Sequence, residues 1–234
     1  MQTRTESVAV DDGAFDMHLW VPERGRGPGL LLIQEIYGVG KYIRGVAEKL
    51  AARGYVVGAP DLFWRLQPGW AAEHDEEGLQ QSLKLASRFQ LEAGVADLSA
   101  AFDRLRELPE VTGAAGVLGF CLGGTMAYHL AARRSELAAA VSFYGSGVPS
   151  ALELAGRITC PLQFHFGGSD PYIPREQIAA VEEAVAPMPN VEIHVQEEAG
   201  HAFHNWEAPM FHQPEHAERA WSLTERFLER HLPC

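Results

Sequence analysis

The chain has 234 residues, 47% of them hydrophobic and 21% charged, and a formal net charge of −12. That length suits one α/β domain with a sizeable core, and the composition is too apolar for a disordered chain. The negative balance, with no basic run against it, excludes nucleic acid and anionic membrane surfaces as partners. Met1-Gln2-Thr3-Arg4-Thr5-Glu6 has no apolar core, so no secretory signal is expected. Runs such as Leu30–Ile33 are too short to span a bilayer. Cys121, Cys160 and Cys234 are too few and too scattered for a disulfide framework. A soluble cytoplasmic protein is the expectation.

In chain order, Glu6–Val10 and Phe15–Val21 flank Asp11-Asp12-Gly13, which reads as a hairpin. Gly29–Gln34 has no alternation and suits a strand buried on both faces. Val39–Arg53 carries Ile43, Val46, Ala47 and Leu50 at helical spacing and stops at Gly54, a C-terminal cap. Tyr55–Ala59 follows as a second buried strand, so this region is a βαβ unit of a parallel sheet. Leu62–Gly78 is irregular, with Trp64, Pro68, Gly69 and Trp70, and is a candidate lid or pocket wall. Leu79–Phe89 and Glu92–Leu108 read as helices. Ala114–Gly119 is a strand, Leu122–Arg134 a helix, and Leu137–Tyr144 and Leu162–Gly167 are strands. Arg175–Ala186 is helical, Val191–Gln196 a strand, and Pro214–His231 an amphipathic helix. No repeat or linker interrupts residues 1–234, so a single domain is expected.

Gly119-Phe120-Cys121-Leu122-Gly123-Gly124 lies between a strand and a helix. It is the G-x-S-x-G elbow with cysteine in the serine position, a strained turn that pushes its central side chain into the open. Gly119 and Gly123 suit a place where strand and helix nearly touch. A helix N-terminus behind Cys121 favours thiolate. A nucleophile of this kind needs a base and a carboxylate that orients it, in chain order nucleophile, acid, histidine, each after a strand. Asp170 follows Leu162–Gly167, and His201 follows Val191–Gln196. Taken singly, Cys121 also suits core packing, Asp170 a turn before Pro171, and His201 a solvated loop. Their joint order at three strand ends favours a catalytic triad.

With these motifs the chain resembles the dienelactone hydrolase family of α/β-hydrolases. The resemblance also covers Gln34-Glu35-Ile36-Tyr37-Gly38-Val39, Pro60-Asp61-Leu62-Phe63, Glu92-Ala93-Gly94-Val95 and Ala199-Gly200-His201-Ala202-Phe203. It implies an α/β-hydrolase fold, a mostly parallel central sheet with helices on both faces. It implies a Cys121-Asp170-His201 triad acting on a small-molecule ester or lactone through a covalent acyl-enzyme. Glu35 takes, by resemblance, the glutamate that holds the resting thiol. The backbone N–H groups of Ile36 and Leu122 take the oxyanion hole.

Two positions leave the family pattern. Members that cleave dienelactones hold the substrate carboxylate with two arginines, and gap-free alignment puts Leu79 and Asn205 there. Leu83 and Ala86 replace neighbouring aromatics. A pocket without cations binds carboxylates poorly. Neutral substrates are therefore expected: aryl or alkyl esters, lactones, and phosphotriesters as a further neutral class. Arg65 or Arg88 is the alternative source of a cation. Trp64, Leu79, Leu83, Tyr144, Phe203 and His204 are candidate substrate-binding residues, with Trp70 and Trp206 on the same loops. His212 and His216 are separated by Pro214, and there is no H-E-x-x-H or paired-cysteine motif, so no metal and no cofactor is expected. Carboxymethylenebutenolidase activity proper, an acyltransferase, and a non-catalytic binding or redox module on the same fold remain the alternatives.

Overall fold

The computed structural model describes residues 1–234. Strand β1 (Gln2–Val10) turns through Asp11 and Asp12 into β2 (Gly13–Val21), antiparallel from Gln2↔Val21 to Val10↔Gly13. Gly13 is therefore the first residue of β2 rather than part of the turn. A two-residue loop fixes that register. Strand β3 (Gly27–Ile33) is buried along its whole length. Helix α1 (Lys41–Ala52) buries Ile43, Val46, Ala47 and Leu50, the residues whose spacing marked it as helical. It stops where Gly54 adopts φ +111°, a conformation that penalises any Cβ. Strand β4 (Val56–Pro60) pairs in parallel with β3 and antiparallel with β2.

Helix α2 (Glu76–Ala86) begins three residues before the expected start, because Asp75 caps it by accepting the Gly78 N–H at 2.8 Å. Helix α3 (Leu91–Arg106) buries Val95, Leu98, Ala101, Phe102 and Leu105. Strand β5 (Val111–Phe120) leads to α4 (Leu122–Arg133) and then β6 (Ala140–Phe143). β6 ends one residue short of expectation, because Tyr144 turns to φ +36°. Two 3-10 turns, Val148–Ser150 and Leu152–Arg157, precede β7 (Leu162–Gly167). Helix α5 (Arg175–Val185), β8 (Val191–Gln196) and α6 (Pro214–His231) complete the chain.

The eight strands form one sheet in the order β1-β2-β4-β3-β5-β6-β7-β8, with β6, β7 and β8 paired in parallel. Two compact units divide within β5: residues 1–117 with Cys234, and residues 118–233. In the first, α1 packs on β4 and α3 on β1, β3 and β4. In the second, α4 lies against β6, and a Cβ on Gly124 would collide with the Phe143 carbonyl. No helix is long and apolar enough to cross a membrane.

Candidate active site

The second unit starts with the elbow. Cys121 sits between β5 and α4 at φ 55°, ψ −114°, outside the allowed regions for a residue with a Cβ. Its N–H donates to the Phe143 carbonyl at 3.0 Å, and the Thr125 N–H closes the first helical turn on its carbonyl at 3.1 Å. A Cβ on Gly119 would strike the Gly123 carbonyl oxygen, so this turn tolerates only glycine there. Cys121, Tyr144 and Ala202 are the three non-glycine residues with positive φ. They follow β5, follow β6 and follow His201. Strain of about 1–3 kcal/mol each persists only where surrounding structure enforces it, and it concentrates at functional sites.

Asp170 lies in the loop after β7 and His201 in the loop after β8, and the fold brings both to Cys121. His201 Nδ1 is 2.7 Å from Asp170 Oδ2, and its Nε2 is 3.2 Å from Cys121 Sγ. The other Asp170 oxygen accepts the Tyr172 N–H at 2.8 Å. With its side chain fully buried, Asp170 has both oxygens committed. The imidazole has one nitrogen on the carboxylate and the other on sulfur, so a proton leaving sulfur has one acceptor in line.

Burial disfavours the imidazolium and is the largest single influence on His201. Negative charge on Cys121 comes next, followed by hydrogen bonds to Asp170 and Cys121, and together these outweigh burial. The imidazole is pushed up to about 10. A charged imidazole is the state that stabilises a neighbouring thiolate.

Tyr144 is fully buried with its ring 5.3 Å from His201 and 5.3 Å from Phe203. Phe203 is likewise buried. His204 stacks between Phe120 at 5.4 Å and Trp221 at 5.1 Å, inside an aromatic cluster. Asn205 is buried, and its Oδ1 accepts the Glu207 N–H at 3.0 Å, so it carries no charge into this region. Tyr172 was not singled out by sequence. Its ring lies 5.0 Å from His201, and the residue remains 55% exposed. Only its place two residues after Asp170 hinted at this.

The first unit holds the remaining candidates. Glu35 is buried after β3, and its Oε1 lies 3.1 Å from Nε2 of His74, also buried. His74 packs on Tyr37 with ring centroids 4.1 Å apart. Nothing in the irregular stretch before α2 marked His74 in advance. That stretch is held firmly. Asp61 accepts the Phe63 and Gly69 N–H groups at 3.1 and 2.7 Å, and burial pushes its carboxyl up. Gln34 Oε1 accepts the Leu62 N–H at 3.0 Å. Trp70 Nε1 donates to the Ile36 carbonyl at 3.1 Å. Trp64 stacks on Phe15 at 5.4 Å and donates to Asp97 at 2.8 Å. Arg65 is engaged by Asp97 and Asp12. Arg88 lines a 160 Å³ cavity with Leu62, Phe89 and Ala93. Leu79 is half-buried and Leu83 exposed on α2.

A mostly parallel eight-stranded sheet with a strained elbow after β5 defines the α/β-hydrolase class. The chain belongs to the dienelactone hydrolase family, whose model matches residues 15–232, and is a hydrolase of that type. It is 35% identical to a carboxymethylenebutenolidase of Pseudomonas sp. (strain P51), over 98% of this chain and 97% of that one. It is also 35% identical to carboxymethylenebutenolidase 1 of Cupriavidus pinatubonensis, covering 89% and 88%. Among solved structures, a putative dienelactone hydrolase from Klebsiella pneumoniae superposes with a TM-score of 0.84 at 25% identity, covering 97% of both chains. A dienelactone-hydrolase-like promiscuous phosphotriesterase from metagenomic libraries shares the fold, with a TM-score of 0.83 at 21% identity over 99% and 98%.

Proposed function

We propose that this protein hydrolyses neutral carboxylic esters or lactones, with Cys121 as nucleophile, His201 as general base and acid, and Asp170 as its orienting carboxylate. The observation that carries this reading is the placement of His201, 2.7 Å from Asp170 and 3.2 Å from Cys121. His201 Nε2 takes the Cys121 proton ahead of attack, and the thiolate of the resulting ion pair adds to the carbonyl carbon. The C–S bond forms and a tetrahedral oxyanion accepts the Leu122 N–H, one of the helix-end donors without an intrahelical partner. On collapse the C–O bond breaks, and the leaving alkoxide takes the proton from Nε2. Water, deprotonated by His201, then cleaves the thioester, releasing the acid and restoring the thiol. By family resemblance, Glu35 restrains the resting thiol and the Ile36 N–H is a second oxyanion donor.

Preference for neutral substrates rests on Leu79 and the buried Asn205 standing at the arginine positions. A desolvated carboxylate without a cation is strongly disfavoured. The relatives named carboxymethylenebutenolidase favour a second reading, in which a dienelactone carboxylate is the substrate. Burst kinetics with p-nitrophenyl acetate on wild type and Cys121→Ala test the nucleophile. A burst lost in the variant is expected, and equal burst amplitudes in both would overturn the assignment. Comparing kcat/KM for a dienelactone carboxylate and for phenyl acetate separates the two substrate readings.

A further inference from the structure

We propose that the ring of Tyr172 is the contact surface for the alcohol portion of the substrate, and that it selects esters of aromatic alcohols. This rests on the acyl-transfer reading above. Tyr172 lies in Asp170-Pro171-Tyr172-Ile173-Pro174, where two prolines restrict the main chain. Its N–H donates to Asp170 Oδ1 at 2.8 Å, the Ile173 N–H donates to the Asp170 carbonyl at 3.3 Å, and the Ile173 side chain is fully buried. The phenol is thus carried on a segment pinned at three points.

Two tyrosine rings touch the His201 imidazole, and they differ in what else they touch. Tyr144 is wholly enclosed among Phe120, Phe143 and Phe203 and has no face left for a ligand. Tyr172 meets His201 at 73° with centroids 5.0 Å apart, yet more than half of it faces solvent. An exposed aromatic ring beside a reacting group gains from being covered, and a second π-system covers it best.

Proton transfer decides which part of the substrate reaches it. His201 Nε2 must return its proton to the leaving oxygen, which therefore comes to within about 3 Å of that nitrogen. The carbon group on that oxygen then lies beside whatever flanks the imidazole. The acyl group is bonded to Cys121 Sγ instead. Tyr172 accordingly contacts the alcohol and not the acid.

Matched esters test this, because comparing each ratio between wild type and variant cancels differences in leaving-group basicity. Benzyl acetate and cyclohexylmethyl acetate differ on the alcohol side, and methyl benzoate and methyl cyclohexanecarboxylate on the acyl side. The expected result is that Tyr172→Leu lowers the wild-type benzyl-over-cyclohexylmethyl ratio of kcat/KM about fivefold, as loss of one aromatic contact does. Tyr172→Phe keeps that ratio, and the acyl-side ratio does not move in either variant. The main-chain N–H to Asp170 survives both substitutions. As a check free of variants, benzyl alcohol should inhibit the wild type competitively more tightly than cyclohexylmethanol. An unchanged alcohol-side ratio in Tyr172→Leu, or a change confined to the acyl-side pair, overturns the inference. Hydrolysis of all four esters by Cys121→Ala at wild-type rates overturns the acyl-transfer reading instead.

Discussion

His201 Nε2 lies 3.2 Å from Cys121 Sγ although eighty residues of chain separate them. The contact is held from behind by Asp170, whose two oxygens serve different donors. Asn at 170 can keep an oxygen for only one of them. If it faces the Tyr172 N–H, an NH2 group faces His201 Nδ1 and the imidazole takes the wrong tautomer. Asp170→Asn should therefore fold normally and lose roughly 10³–10⁴-fold in kcat on p-nitrophenyl acetate. A loss under tenfold would count against the orienting role.

His201 gives a pH dependence with a defined sign. Its folded pKa, about 10, exceeds the ordinary value of 6.5, so the folded state binds the proton more tightly. The stability this contributes is complete below about pH 6.5 and fades as pH rises through about 10. Urea midpoints of wild type and His201→Gln should therefore converge as pH is raised from 6 to 10. Because charge on Cys121 is the largest influence raising the imidazole, Cys121→Ala should lower the His201 pKa in an NMR titration. A pKa that stays near 10 in the variant would remove Cys121 as the cause.

Gly119→Ala tests the elbow. The added methyl would meet the Gly123 carbonyl oxygen, which is main chain and has no rotamer to escape into. A cost of at least the usual 1–3 kcal/mol for overpacking is expected, seen as a lowered urea midpoint. Gly156→Ala, where an added Cβ meets nothing within 4 Å, is the control and should be near neutral.

In the first unit, His74→Ala takes a buried partner from the buried Glu35 carboxylate. Losing one member of such a pair costs more than the pair contributes, because the survivor stays buried with one partner fewer. Destabilisation of about 2–4 kcal/mol by urea unfolding is expected, with Glu35→Gln/His74→Ala less destabilised than the sum of the single variants. Strict additivity would mean that the two residues act independently.

Much of the framework was legible because periodicity and punctuation are local. β7, β8 and α6 fall on the residues their patterns marked, and α1 buries the residues spaced for it. The ends that moved did so for tertiary or capping reasons. Asp75 started α2 early, and the positive φ of Tyr144 closed β6 early. Cys121, Asp170 and His201 were legible as a set because strand-end position and chain order are sequence properties. Their distances were not.

The sequence by itself carried the dienelactone hydrolase family, and it set a cysteine in a glycine-bounded turn with an acid and a histidine after later strands. It also puts Leu79 and Asn205, neither of them a cation, at the two positions that the family resemblance aligns with arginines. Only tertiary structure decided which side chains meet. It buried His74 against Glu35, enclosed Tyr144 and left Tyr172 open on the same imidazole. Those outcomes depend on packing between segments far apart in the chain. No local pattern encodes whether an aromatic ring ends up covered by its neighbours or left exposed.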